Sequence, residues 1–197
     1  NLLPGEYAVQ VTPPISSPFG VLRILQTIEK ETPLMFRPPL KPTFSGILKT
    51  LDAVPIENAV VEAMLIDPVL EDERLAEHSM PVTTRVTRTT TDIRGEFDLL
   101  LDPGTYTFRF IPPKNTGLTA FTQAVNVPRS QGTIQPFQFV APLAAVLTAQ
   151  IVDNTGEPLP NQLVELWNQE TGKYITANRT NDAGYLLLRI PVENESE

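Results

Sequence analysis

At 197 residues the chain has room for one or two domains, and an apolar fraction of 41% supplies a core and excludes global disorder. A net charge of −8, with a sequence pI near 4.7, excludes nucleic acid and anionic membrane as partners, because either demands a basic surface to displace counterions. Cysteine is absent, so disulfides and thiolate metal sites are excluded, and no apolar run approaches the roughly 18 residues that a membrane-spanning helix needs.

The 20 prolines outnumber the 10 glycines. Proline cannot donate to a strand ladder or sit inside a helix, so it marks strand edges, turns and linkers. Thr and Val abound, and no window sustains an apolar pattern of helical period beyond two turns. The chain reads as all-β. Its first segment is already part of a repeat. Leu2-Leu3-Pro4-Gly5-Glu6-Tyr7, running on to Thr12-Pro13-Pro14, returns 99 residues later as Leu101-Asp102-Pro103-Gly104-Thr105-Tyr106, running on to Ile111-Pro112-Pro113. A second frame, shifted by 103, sets Pro33, Phe36, Pro39 and Leu40 on Pro136, Phe139, Pro142 and Leu143. It continues to Pro55, Asn58, Val61 and Glu62 on Pro158, Asn161, Val164 and Glu165. A period this long exceeds the about 20–50 residues of solenoid units and suits a string of small β-sandwiches.

Three parts follow from the repeat. Residues 1–41 carry the C-terminal strands of one sandwich, expected over Leu2–Val11 and Val21–Ile28, and a linker. Residues 42–141 form a complete sandwich, and residues 142–197 hold the N-terminal strands of a following one. Asn1 falls inside a repeat unit, so we expect a segment of a longer protein. Either flanking sequence completes the outer parts, or the ends complete each other, with 2–11 and 21–28 adding to the sheet of residues 147–190 in a neighbouring copy.

In the middle unit the first strand is expected over Phe44–Leu51, followed by a turn ending at Pro55. Its counterpart, Asp153-Asn154-Thr155-Gly156-Glu157-Pro158, has the Asn, Gly and Pro that turns require. In the next strand, Asn58–Ile66, Val61, Ala63 and Leu65 share one face and Glu62 and Met64 the other. In the following unit Val164 and Leu166 take the inward places. From Asp67 to Pro81 lies an acidic insertion that the following unit lacks, with two turns of helix expected over Leu70–His78. Because its counterpart is nearly absent, the insertion is expected to be dispensable for folding and to gather binding residues. A Thr- and Arg-rich strand over Val82–Thr91 ends in Asp92-Ile93-Arg94-Gly95, whose pattern predicts a hairpin. Phe97, Leu99 and Leu101, then Tyr106, Phe108 and Phe110 after Pro103-Gly104, alternate as core strands. A last strand near Thr119–Val127 precedes a Pro-rich linker, Pro128–Pro142, matching the earlier one at Thr32–Pro42.

These motifs carry a resemblance. Gly156-Glu157-Pro158-Leu159-Pro160 to Leu166, then Asn181 to Leu187, then Leu101 to Phe110 with its Pro-Gly-x-Tyr core, resemble the carboxypeptidase regulatory-like family. That family is a transthyretin-like (prealbumin-like) seven-stranded sandwich, similar to the B-type repeats of collagen adhesins. The middle unit departs from it in having Ala53 at the first glycine. The resemblance implies tandem Ig-like or transthyretin-like sandwiches, which accompany peptidases, receptors, adhesins and polysaccharide-acting enzymes as accessories.

Nucleophilic catalysis finds no support: there is no Cys, no Gly-x-Ser-x-Gly, and one histidine, His78, in an acidic segment. Glu71, Asp72, Glu73, Glu77 and His78 match no ligand spacing for a metal, and solvation explains them. They remain candidates for binding a partner. Asp92 and Asp182 supply one carboxylate per turn, too few for calcium, and turn chemistry accounts for both. An intramolecular Lys–Asn isopeptide bond, which related adhesin repeats contain, would draw on Lys49 and Asn126. The strand Thr105–Phe110 lacks the acid such a bond requires, and Val152 replaces Lys49 in the next unit. Trp167, the sole tryptophan, lies on the face opposite Val164 and Leu166, where it would meet another domain or a carbohydrate. Asn178-Arg179-Thr180 and Asn194-Glu195-Ser196 are glycosylation sequons, meaningful only in a secreted eukaryotic protein.

The sequence thus predicts a non-enzymatic structural and adhesive segment of a multidomain bacterial protein at the cell surface, in the periplasm or secreted. Its expected partners are other protein domains or subunits, carbohydrate in an accessory role, and further copies through strand exchange. No cofactor is implied. The rival readings are an accessory protein- or carbohydrate-binding domain of a hydrolase and a subunit-docking module of a surface assembly.

Overall fold

The computed structural model describes residues 3–29, 33–70, 73–77, 85–129, 136–172 and 174–191. An antiparallel ribbon of β1 (Gly5–Val11) and β2 (Leu22–Ile28) comes first. The middle of the chain supplies β3 (Thr43–Lys49), β4 (Val60–Pro68), β5 (Val86–Thr90), β6 (Glu96–Leu100), β7 (Gly104–Ile111), β8 (Phe121–Val127) and β9 (Phe137–Val140). These make a β-sandwich of two sheets, ordered β6-β3-β9 and β5-β4-β7-β8. The last part holds β10 (Ala144–Gln150), β11 (Leu163–Trp167), β12 (Tyr174–Arg179) and β13 (Tyr185–Pro191), paired as β10-β13 and β11-β12.

Period-two alternation sets the inner faces. β3 buries Phe44 and Leu48, β4 buries Val61, Ala63 and Leu65, and β6 buries Phe97 and Leu99, while their neighbours in sequence face outward. Tyr106, Phe108 and Phe110 of β7 complete the core in the expected register. Phe108, Phe110 and Phe139 are fully enclosed, with ring centroids 6.0 Å apart for Phe108–Phe110 and 4.5 Å for Phe110–Phe139. Gly46 makes room for them, because a Cβ there would stand 2.4 Å from the Phe97 ring and 2.9 Å from that of Phe139. The buried cluster draws on residues from Phe44 to Ala141.

The sequence repeat is also a repeat of pairing. Gly5↔Ile28 and Val11↔Leu22 in the ribbon correspond, 99 residues on, to Gly104↔Val127 and Phe110↔Phe121. β10-β13 and β11-β12 reproduce β3-β6 and β4-β5, and the bridge Lys49↔Pro55 returns as Val152↔Pro158.

Three expectations need correction. The segment expected as a second linker contains β9, which pairs in parallel with β3 and buries Phe139. Its flanking prolines lie outside the strand, so the ladder loses no donor. The turn at Asp92–Gly95 is not a hairpin. It has the expected bonds, Gly95 N–H to Asp92 O at 2.9 Å and Asp92 N–H to Glu96 O at 2.9 Å, but it carries the chain from one sheet to the other. In the acidic insertion residues 73–77 form a 3₁₀ helix, Glu73–Glu77, tighter and shorter than the two turns of helix expected over Leu70–His78, of which residues 71, 72 and 78 lie outside the described residues. Leu75 is buried, so this turn contributes packing as well as charge.

Ala53 stands where the next unit has Gly156, and it takes the glycine's left-handed backbone, φ 61° against 88°. Being exposed, its methyl gains nothing in packing. Ala53→Gly should therefore stabilise by about 0.5–1 kcal/mol in urea denaturation, relief of backbone strain outweighing the freer unfolded chain. Phe108→Ala should destabilise by roughly 3–5 kcal/mol in the same assay, through lost transfer energy and the cavity left between the sheets. A loss below about 1 kcal/mol would refute this register.

Candidate functional site at the joints between units

The Pro-Gly-x-Tyr motif builds a corner. Tyr106 O–H donates to the Asp102 carbonyl at 2.9 Å, and Tyr7 repeats the bond to the Leu3 carbonyl at 2.6 Å. In the middle unit the corner aims the Asp102 side chain at residues 13–21, the loop that joins β1 to β2 in the preceding ribbon. Its carboxylate accepts the Val21 N–H at 2.8 Å. The approach needs Gly20, whose added Cβ would come within 2.3 Å of Asp102 Oδ1.

Cations complete the joint. Lys41, almost wholly buried, donates from Nζ to the carbonyls of Ile15 and Ser17, each at 2.9 Å, and from its backbone to Pro18 O at 2.8 Å. Arg85 Nη2 donates to the Pro13 carbonyl, while Nη1 lies 4.0 Å from Asp102 Oδ2 and has no hydrogen-bond partner among the described residues. Burial lowers the Lys41 ammonium pKa, partly opposed by the charge of Asp102, and Arg85 lowers it further. Burial likewise lowers that of Arg23, again opposed by Asp102. Burial raises the Tyr106 phenol well above its ordinary value, and the Asp102 charge adds to the effect. A shallow cleft opens between Ile15, Lys41, Arg85, Asp102 and Tyr106. Its donors are directed at backbone carbonyls and the Asp102 carboxylate at a backbone N–H, so the chemistry is that of a clamp.

The same loop of the middle unit meets the next one. Arg189 Nη1 donates to the Lys114 carbonyl at 2.7 Å, and Thr119 Oγ1 to the Arg189 carbonyl at 3.3 Å. Lys114 and Thr119 stand 99 residues after Ile15 and Gly20.

The residues singled out from sequence are scattered. Trp167 is 55% exposed on β11 and meets Tyr174 edge-on, centroids 5.3 Å apart. Glu71, Asp72 and His78 lie outside the described residues, as do the side chains of Glu73 and Glu77. Within the insertion, Arg74 pairs with Glu6 of the ribbon at 3.6 Å. Lys49 and Asn126 lie in different sheets, both turned away from the core, and Lys49 Nζ donates to Gln138 Oε1 at 2.5 Å. The two are therefore not brought together. Asp92 Oδ1 is occupied by the N–H groups of Arg94 and Glu96, at 2.9 and 2.8 Å. Asn181, rather than Asp182, does the same for Ala183 and Tyr185. Asn178 of the first sequon donates to the Leu187 carbonyl at 2.8 Å, and Asn194 lies outside the described residues. Among the described residues no group of three or more His, Asp or Glu could hold a metal, and no helix is long and apolar enough to cross a membrane.

Lys41, Arg85 and Asp102 escaped the sequence reading, and so did a buried threonine latch. Thr91 Oγ1 accepts the Ala59 N–H at 2.9 Å and donates to Ile56 O at 2.6 Å. Thr180 does the same with Gln162 N–H and Leu159 O, at 2.8 and 2.7 Å. Each precedes the Asp or Asn that opens the repeated turn, a coincidence visible in the sequence.

Neither a protein-family model nor a curated protein matches the sequence. Among solved structures, a streptococcal ancillary pilin is similar at 16% identity and a TM-score of 0.36, over 96% of this chain and 64% of the pilin. The TIE protein of Bacillus anthracis is similar at 18% identity and a TM-score of 0.36, over 97% of this chain and 35% of that protein. The chain thus spans less than two thirds of either.

Tyr106 yields a pH-dependent test. Its folded-state pKa is raised, so its contribution is intact below the ordinary tyrosine range, about 10, and is lost as pH rises beyond it. Lys41 titrates nearby with the opposite sign, so the comparison must be between wild type and variant. Tyr106→Phe should cost about 1 kcal/mol at neutral pH, with the deficit shrinking above about pH 10 in parallel denaturation series. A constant deficit would contradict this role.

Proposed function

We propose that the chain is a non-enzymatic structural and adhesive segment of a bacterial surface, periplasmic or secreted protein, built as a string of transthyretin-like sandwiches divided at 1–41, 42–141 and 142–197. The observation that carries this reading is the parallel pairing of the middle sandwich's first and last strands, Gly46↔Phe137 through Lys49↔Val140. Parallel first and last strands put the entry of the chain at one end of the sandwich and its exit at the other. Successive units are therefore arranged in line, and the loop clamps at residues 13–21 and 114–119 fix the joints. The buried cluster at residues 44–141 supports the middle boundary. Exposed Trp167 with Tyr174 gives the string an aromatic face for a protein or carbohydrate partner.

Stiffness at the first joint is the test. Thr27 and Gln123 are exposed and the chain has no cysteine, so spin labels at Thr27→Cys and Gln123→Cys report one distance when diluted in unlabelled protein. The expected distribution is narrow, and it should broaden when Lys41→Ala and Asp102→Ala are added. A distribution already broad in the wild type, or unchanged in the variant, would overturn the spacer reading.

A further inference from the structure

We propose that the acidic insertion of the middle unit is a strut seated on the outer face of the β1-β2 ribbon, and that it makes the first joint stiffer than the second. The inference rests on the spacer reading for what a stiff joint serves; the contact itself rests on geometry.

At the base of the insertion Val69 N–H donates to the Pro103 carbonyl at 3.1 Å and Arg129 Nη2 donates to the Leu70 carbonyl. The insertion thus departs from the same corner that carries Asp102. At its tip the 3₁₀ helix, Glu73–Glu77, lies against β2, and Arg74 pairs with Glu6 of β1 at 3.6 Å. Leu75 is only 2% exposed, yet it has no place in the buried cluster that fills the sandwich. An apolar side chain enclosed outside the core of its own unit is covered by the surface on which its helix lies. Glu6 marks which face of the ribbon that is. Its cross-strand partner is Thr27, and period two sets Ala8 and Leu25 on the same side, with Tyr7 and Gln26 on the other. Leu25, half-buried, is the large apolar residue this face offers. Both partners of the ion pair are more than half exposed, so it sets position while the burial of Leu75 supplies most of the attraction.

The strut acts with leverage. Val21, bonded to Asp102, and Thr27, opposite Glu6, bracket β2 and stand about 20 Å apart. A joint held at one point can swivel about it. One held at two points this far apart cannot bend without breaking a contact.

The repeat supplies the comparison. β4 and β5 are joined through residues 69–85, but β11 and β12 only through residues 168–173, where Gly172 N–H closes a turn on Asn168 O at 2.9 Å. That connection leaves no room for a strut. The surface that would receive one has changed as well. Thr105 of β7 and Ala124 of β8, 99 residues on, stand where Glu6 and Leu25 stand in the ribbon, and both are exposed. Strut and seat occur together at the first joint, and the second joint has neither.

The chain has no cysteine, so single thiols report the contact. Leu75→Cys should react with a maleimide at least about tenfold more slowly than Ala76→Cys, its exposed neighbour, and Leu25→Asp should erase most of that difference. Spin labels at Gly5→Cys, on the face opposite Glu6, and Gln123→Cys should give a narrow distance distribution. Leu75→Asp should broaden it while leaving the unfolding midpoint of the sandwich nearly unchanged. Labels across the second joint, at the exposed positions Asn126→Cys and Leu163→Cys, should give a broader distribution from the start. Equal reactivity of the two thiols, protection that survives Leu25→Asp, or a sandwich destabilised by Leu75→Asp would each overturn the strut. So would a distribution that Leu75→Asp leaves narrow, or a second joint as narrow as the first. Leu75→Asp leaves the Lys41 and Asp102 contacts in place, and thiol protection does not depend on stiffness, so failure of the strut is separable from failure of the spacer reading.

Discussion

The parallel pairing of β3 with β9 is the constraint from which the rest of the architecture follows, because it joins the first strand of the sandwich to its last without turning the chain back. Hydrogen bonds alone would hold β9 weakly, since it has only four residues at the edge of a three-stranded sheet. Its anchor is Phe139, which packs on Phe97, Phe108 and Phe110 at centroid distances of 5.8, 5.8 and 4.5 Å. Two of those rings come from the opposite sheet. The contact that secures the exit strand is therefore the one that holds the sheets together, and the place where the chain leaves the sandwich is tied to the core. Gly46 is part of the same arrangement: a larger residue on β3 would displace both Phe97 and Phe139.

The joints follow from what proline does to hydrogen-bond supply. Residues 13–18 include Pro13, Pro14 and Pro18, which keep their carbonyls but have no N–H to donate. Such a loop carries an excess of acceptors, and side chains that only donate relieve it. Lys41 and Arg85 fill that role at the first joint, and Arg189 does so beside Pro112 and Pro113 at the second. Burying cations is costly, and Asp102 offsets part of that cost while capturing the Val21 N–H. The joint thus gains its specificity from matching donors to a donor-poor loop, and less from apolar area.

What could be read from the sequence was local. The alternation around Pro103-Gly104, the inward Val61, Ala63 and Leu65, the outward Trp167 and the all-β class each rest on a periodicity of two and a few turn residues. Sheet assignment did not follow, because Asp92-Ile93-Arg94-Gly95 uses the same bonds whether it closes a ladder or crosses between sheets. β9 was hidden by composition: prolines at 136 and 142 suggest a linker, and only the spacing of Phe137 and Phe139 betrays a strand. The buried Leu75 was hidden among acids. Asp102, Arg85 and Lys41 meet across separations of up to 61 residues, and Asp102 aligns with Leu3 in the repeat, so internal comparison gave no hint of them.

The repeat also separates what a strand sequence encodes by itself from what it acquires from neighbours. The tyrosine corner forms in both units that contain it, and the threonine latch and the Asp or Asn turn form in both units that contain them, with bond lengths that agree within a few tenths of an ångström. These features need only residues close in sequence or on one hairpin. Burial behaves differently. Val61 and Val164 occupy equivalent places in equivalent strand pairs, yet only the first is enclosed, because only the first has β7 beside it. The local code thus prepares each half-sandwich in the correct register while leaving its apolar face and one edge uncovered. Enclosure of an inner face therefore depends on the strand that lies beside it in space, β7 beside β4, and not on the turn and latch chemistry that the hairpin carries in its own sequence.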